Sequence, residues 1–174
     1  MSQRLLQRLV AQFGGKILES NGFRGDDEAV VAPADWLAVA RFLRDDPACA
    51  MDHFIDLTAI DYPEREQRFD VVLLVRSLEK KHRIRVKTRV RDAEQLDSLV
   101  SVWKGADWTE REVFDMFGIR FKGHPDLRRI LMYDEFVGYP LRKDYPKEKR
   151  QPLVRRDDLP MNPIKVARPE GSAK

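Results

Sequence analysis

Two neighbouring segments constrain this chain more than any others: FDVVLLV at residues 69–75 and RIRVKTRV at residues 83–90. The first is apolar on both faces at its centre. It has the length of a buried strand and falls far short of the ~20 apolar residues of a membrane helix. The second alternates, with Ile84, Val86, Thr88 and Val90 on one face and Arg83, Arg85, Lys87 and Arg89 on the other. The polar turn Leu78-Glu79-Lys80-Lys81-His82 joins them. Such a hairpin needs a sheet with one apolar face, and that face must be covered.

The rest of the chain supplies the cover. MSQRLLQRLVAQFGG is amphipathic, with Leu5, Leu6, Leu9, Val10 and Phe13 grouped on one face. Arg4 and Arg8 without acids also fit a transit peptide. The reading taken is a first helix opened by Ser2 and closed at Gly14-Gly15. Residues 28–31 read as a short strand, and Pro33 and Asp35 open a second helix that buries Trp36, Val39, Ala40 and Leu43. Residues 53–60 read as a strand, as do residues 98–103. A helix over residues 107–117 ends at Gly118. The pattern predicts an α+β fold: a two-layer sandwich of a mixed β-sheet with helices on one face.

At 174 residues and 43% apolar content, one globular domain with a full core is expected. From Pro140 the texture changes, because six of the ten prolines lie in 140–174 and apolar residues there are sparse. The expectation is a globular domain over 1–139 and a basic, Pro-rich tail over 140–174 that is either disordered or extended along something else. A single cysteine, Cys49, excludes an internal disulfide and a Cys-rich metal or iron–sulfur site built by this chain alone. It reads as a small core residue. The formal net charge of +3 is weak support for a nucleic-acid partner.

The stretch WTEREVFDMFGIRFKGHPDLRRIL, 108–131, crowds together the residue types of an active site. On a helical projection Val113, Phe114, Met116 and Phe117 form an apolar arc, while Arg111, Glu112 and Asp115 fall opposite, near Trp108. Glu110 falls inside the apolar arc, where a carboxylate needs a partner. Asp107 with Glu110, or Thr109 with Glu112, would make a capping box, leaving the other glutamate in need of a cation. Arg111 could pair with Asp115 at i,i+4.

A hydrolase would use Glu110 or Glu112 as base and His124 as acid, but no nucleophile motif, phosphate loop or metal-ligand spacing accompanies them. His124 before Pro125 reads instead as a structural residue. Gly123 and Pro125 fix a turn, Asp126 caps the residues after it, and Arg128 and Arg129 offer guanidinium forks to carboxylates across an interface. Arg142, Lys143 and Asp144 repeat the theme between Pro140 and Pro146. A nucleic-acid module would instead use Arg83, Arg85, Lys87, Arg89 and the basic tail.

Glu110-Arg111-Glu112, Asp115-Met116-Phe117, His124, Arg128 and Ile130-Leu131 stand at the spacing of a long gapped signature. Ser101-Val102-Trp103, residues 57–62 and residues 138–146 flank it. In these residues the chain resembles the 30 kDa (C) subunit of NADH:quinone oxidoreductase, respiratory complex I. Related subunits serve membrane-bound hydrogenases and ferredoxin- or F420-linked complexes. The resemblance is strong over about 50–150. It implies a quinone-module subunit of the peripheral arm, without cofactor of its own, with FMN, Fe-S clusters and quinone held by other subunits. It implies the 49 kDa (D) subunit as main partner, B and I nearby, no nucleic acid, and a peripheral place on the cytoplasmic side of a bacterial inner membrane (the matrix side in mitochondria). Glu110, Arg111, Glu112, Asp115, His124, Asp126, Arg128, Arg129, Arg142, Lys143 and Asp144 would then be subunit-interface residues.

Overall fold

The computed structural model describes residues 3–151. Ser2 and the larger part of the expected tail, 152–174, lie outside the described residues. Five strands form the main sheet: β1 (Ile17–Phe23), β2 (Asp26–Val31), β3 (His53–Asp61), β4 (Phe69–Ser77) and β5 (His82–Val90). Their order is β1-β2-β5-β4-β3. β3, β4 and β5 run as an antiparallel meander, β1 and β2 as a hairpin, and the parallel pair β2–β5 joins the two. The sheet is therefore mixed, as expected.

The inner face carries Ala29, Val31, Leu57, Ala59, Phe69, Val71, Leu73, Val75, Ile84, Val86 and Val90, all in one apolar cluster. Helices α1 (Gln3–Phe13), α2 (Trp36–Asp45) and α3 (Ala106–Phe117) feed side chains into that same cluster. α2 buries the predicted Trp36, Val39, Ala40 and Leu43. α1 buries less than its pattern suggests: Leu5 and Leu9 are inside, but Val10 is 42% exposed. Cys49 is buried, and burial pushes its thiol up to about 11, which suits an inert packing residue.

On the outer face the basic row of β5 is answered by acids from neighbouring strands. Arg83 meets Asp26, Arg85 and Lys87 meet Glu28, and Arg89 meets Glu19 through two hydrogen bonds of 2.8 and 3.0 Å. The row is thus a ladder of cross-strand ion pairs, not a free basic stripe.

Three local expectations fail. Residues 17–23, not foreseen as structured, form β1. The strand is almost wholly exposed, so no apolar alternation marks it; it exists because β2 pairs with it. Residues 98–103 are not a strand. Val102 and Trp103 both donate their N–H to the Leu99 carbonyl, which makes a tight turn. The strand lies just before it: β6 (Gln95–Asp97) pairs in parallel with β7 (Arg120–Lys122) as a separate two-stranded sheet. Third, the chain from 139 to 149 does not leave the domain. Hydrogen bonds tie it back, such as that from the Leu141 N–H to the Met116 carbonyl at 3.1 Å.

Candidate functional site

Helix α3 opens at Gly105 without a side-chain cap, so neither predicted capping box forms. Thr109 instead donates its hydroxyl to the Ala106 carbonyl, 3.2 Å away. Glu110 is fully buried, as its place in the apolar arc required, but no cation meets it among the described residues. One carboxylate oxygen accepts the Leu99 N–H at 2.6 Å, and the other accepts the Ser98 hydroxyl at 2.7 Å. This explains the turn at 98–103, since Glu110 takes the N–H that a strand ladder would have used. Burial raises the Glu110 carboxyl to about 7, and the two hydrogen bonds only partly oppose that rise.

Asp115 also departs from its predicted place. It is fully buried, not on a solvated charged face. Its Oδ2 accepts three successive backbone N–H groups, from Ile130 (3.0 Å), Leu131 (2.8 Å) and Met132 (2.8 Å). Its Oδ1 accepts from Arg129 at 2.6 Å. Burial alone would raise this carboxyl, but the N–H groups and Arg129 outweigh it and hold it below the usual carboxylate range. Arg111 is consequently not its i,i+4 partner. Arg111 donates to the carbonyls of Arg128 and Arg129, both at 3.2 Å. Arg129 in turn donates to the carbonyls of Phe136 (3.1 Å) and Gly138 (3.2 Å). Arg129 is therefore spent inside the chain and does not offer its fork outward.

His124 is structural. Its side chain is fully buried, its Nε2 faces the Asp107 carbonyl at 3.2 Å, and its Nδ1 accepts the Asp126 N–H at 3.0 Å. An Nδ1 that accepts puts the ring proton on Nε2. Asp126 does not cap a helix; it pairs with the exposed Arg128 at 2.8 Å. Glu112 is exposed, and neither His124 nor any other cation pairs with it among the described residues. The base-and-acid reading of Glu112 and His124 therefore has no geometry behind it.

A second cluster holds the start of the expected tail. Arg142 donates through Nε to the Phe117 carbonyl at 2.6 Å, satisfying the last turn of α3, and through both Nη atoms to Asp92 at 2.9 Å. The Lys143 N–H reaches Asp61 at 2.8 Å. Arg68 bridges Asp61 (2.7 and 2.9 Å) and Asp144 (2.8 Å). Its guanidinium holds both carboxyls below their usual range. Asp61, Arg68 and Asp92 were not among the sequence candidates. Asp61 sits in the 57–62 stretch, but nothing local shows that residues about 80 positions away will close on it.

Gly118 locks the two clusters together. It ends α3 in the left-handed region at φ +81, as predicted from its position. A Cβ there would meet the Tyr139 ring at 2.5 Å and Arg142 at 2.9 Å. Gly118→Ala is expected to lose about 2 kcal/mol, combining backbone strain with displacement of Tyr139 and Arg142. Chemical denaturation checks this, with Gly15→Ala, whose Cβ would meet nothing within 4 Å, as the control.

Segment 123–150 contains neither helix nor strand, yet it is held by backbone and side-chain bonds along its length. Long irregular loops of this kind are more often functional than ornamental. This one presents Leu131 (57% exposed), Val137 (55%), Leu141 (53%) and Tyr133 (40%), and Trp108 on α3 is 63% exposed. Among the described residues no group of His, Cys, Asp and Glu is placed to hold a metal ion, and no helix is long and apolar enough to cross a membrane.

These features define a small α+β domain that uses its charged motif to rigidify a long surface loop. Comparison with known proteins gives the family. Residues 29–151 match the model of the respiratory-chain NADH dehydrogenase 30 kDa subunit, and the chain belongs to that family. The NADH-quinone oxidoreductase C subunit of Methylobacterium sp. (strain 4-46) is 46% identical over 83% of this chain and 67% of its own length. Its counterpart in Dinoroseobacter shibae is 52% identical over 70% of this chain and 57% of its own length. The counterpart in Caulobacter vibrioides is 49% identical over 80% and 71%. The chain thus spans 57 to 71% of the length of these three relatives. A trypsin-resistant fragment of Nqo5 superposes with a TM-score of 0.60 at 30% identity, over 72% of this chain and 98% of the fragment. A chain of an archaeal membrane-bound sulfane sulfur reductase shares the fold, with a TM-score of 0.71 at 23% identity, over 84% of this chain and 86% of that one.

Proposed function

We propose that this chain is a cofactor-free subunit of the peripheral arm of a proton-translocating NADH:quinone oxidoreductase. In this reading it braces the 49 kDa (D) subunit, with B and I nearby, at the cytoplasmic side of the inner membrane. FMN, Fe-S clusters and quinone reside on its partners. The observation that carries the reading is the stapled loop. Asp115, Arg111 and Arg129 use their bonding capacity to fix a backbone that displays apolar side chains, and a rigid apolar display binds at lower entropic cost than a mobile one. Among the interface candidates, Glu112, Asp126, Arg128, Lys143 and Asp144 are exposed to a partner, whereas Glu110, Asp115, His124 and Arg129 act within the chain.

The test is co-purification from membranes with a tagged chain. The expected companions are the B, D and I subunits together with an NADH-oxidising module. Leu131→Asp with Val137→Asp is expected to lower recovery of the D subunit more than about tenfold while leaving the isolated chain folded. Recovery unchanged by this pair would remove the loop from the interface. Companions lacking any NADH-oxidising module would favour the ferredoxin-, F420- or hydrogenase-linked alternative.

A further inference from the structure

Away from the loop, the β1–β2 and β4–β5 turns lie at one end of the sheet and wall a cleft of about 630 Å³. Arg24, Arg76, Lys81 and Arg83 line it against the two carboxylates of Asp26 and Asp27. Asp26 is taken by Arg83 at 2.5 Å, and Asp27 is buried and already engaged within the chain. Arg24, Arg76 and Lys81 have no acidic partner among the described residues. Arg76 stands directly opposite Arg83 in the antiparallel ladder, with His53 on its other side. Like charges placed opposite one another destabilise a sheet, and Asp26 answers Arg83 but leaves Arg76 without an acid.

The turns themselves add to this. Arg24 and Gly25 take φ of +52 and +89, the doubly positive geometry of a tight hairpin, and Lys81 takes +54. Asn, Asp or Gly adopts that geometry with least strain, so Arg24 and Lys81 place cations at the rim against local preference. Beside them Phe23 is 65% exposed and Leu78 is 54% exposed. The cleft therefore combines surplus positive charge with one apolar lining residue, Leu78, in a concave shape, and Phe23 lies next to its Arg24 rim. A flat lipid surface does not fill a concavity, and a bare inorganic anion leaves the apolar rim uncovered.

We propose that this cleft receives an acidic segment of a neighbouring subunit that also carries an apolar side chain for Leu78. The inference rests on the chain being a subunit of a larger complex, and it adds a second contact remote from the loop. Its test uses the purified assembled complex and the chain alone. Each is treated with an amine-acetylating reagent, and modification at Lys81 is read by mass spectrometry. Protection of Lys81 of about tenfold or more in the complex is expected, and carbodiimide should join Lys81 to an Asp or Glu of another subunit. Arg76→Gln with Lys81→Gln should lower retention in the complex several-fold while circular dichroism of the isolated chain stays unchanged. Equal acetylation of Lys81 in both samples overturns the proposal, even if the chain co-purifies with the complex. Protection that vanishes on nuclease treatment or delipidation overturns it in favour of nucleic acid or lipid. Failure to co-purify at all sinks the functional reading beneath it as well.

Discussion

Asp115→Ala is expected to destabilise the chain by about 3–5 kcal/mol, the cost of stranding the other half of a buried charge pair. The side chain is fully buried, and Arg129, to which it is bonded at 2.6 Å, is only 17% exposed. Removing it also orphans the N–H groups of Ile130, Leu131 and Met132, which share one carboxylate oxygen. Those are backbone groups of the loop, so its order should fail first. Trypsin should then cut after Arg128 and Arg129 well before the sheet unfolds, and the apolar display should lose its hold on a partner. Asp115→Asn keeps one acceptor oxygen but turns an amide toward the guanidinium, so it should fall between wild type and alanine. The depressed carboxyl also sets a sign with pH. Its stabilisation is present above the unfolded carboxylate pKa and is lost as pH falls through the lower folded value. Wild-type loops should therefore loosen in acid, and the alanine variant should show less of that dependence. A urea titration at several pH values, read beside the rate of tryptic cleavage, measures both. If Asp115→Ala left cleavage after Arg128 and Arg129 as slow as in wild type, the carboxylate would not be what orders the loop.

The legibility of this fold in its sequence depends on range. The β3–β5 meander, α2 and the Gly118 stop were readable because alternation, helical spacing and an αL glycine are local signals. The long gapped signature from Glu110 to Leu131 was specific enough to indicate the family. The partners of its residues were not readable. A helical projection shows the angle of Asp115 but not that residues 129–132 fold back over it. On that side of α3, Arg111 and Asp115 are polar because they bind a loop, while Glu112 between them meets water. The same error placed Arg129 and Arg142 outward. Both serve carbonyls and carboxylates of this chain, and the candidates that are exposed are Glu112, Asp126, Arg128, Lys143 and Asp144. The strand expected at 98–103 had the right β-branched and aromatic residues. Glu110, eleven positions from Leu99, overrode that propensity by a contact no local pattern encodes. The ILESNGF strand failed in the opposite way: its central residues Glu19, Ser20, Asn21 and Gly22 are poor strand formers held by a neighbour. Proline density suggested that the chain leaves the domain at 140. The prolines instead bracket Arg142 and Asp144, which pin 140–149 in place.

Glu110 yields the other large effect, and it runs opposite to that of Asp115. Burial without a cation raises its carboxyl to about 7, against about 4.5 in the unfolded chain. Between those values the folded chain holds a proton that the unfolded chain has released, so stability falls as pH rises through the window. The gap between those two values corresponds to about 3 kcal/mol, complete once the pH is above the folded value. Glu110→Gln is neutral at every pH, keeps an oxygen for the Leu99 N–H, and can donate to the Ser98 hydroxyl oxygen. It should exceed wild type by less than about 1 kcal/mol near about pH 5 and by about 3 kcal/mol at about pH 8. Glu110→Ala should be worse than wild type throughout, because it strands the Leu99 N–H and leaves a cavity. Urea unfolding of the three proteins at about pH 5, 6.5 and 8 separates these outcomes. A wild-type-to-Gln difference that stays constant across that range would mean the carboxyl does not titrate there. A carboxylate kept at this cost must do something a neutral side chain does less well. The two acceptor bonds it directs at Ser98 and Leu99 point to holding the 98–103 turn, and thereby the start of α3, in register beneath the loop that Asp115 fastens.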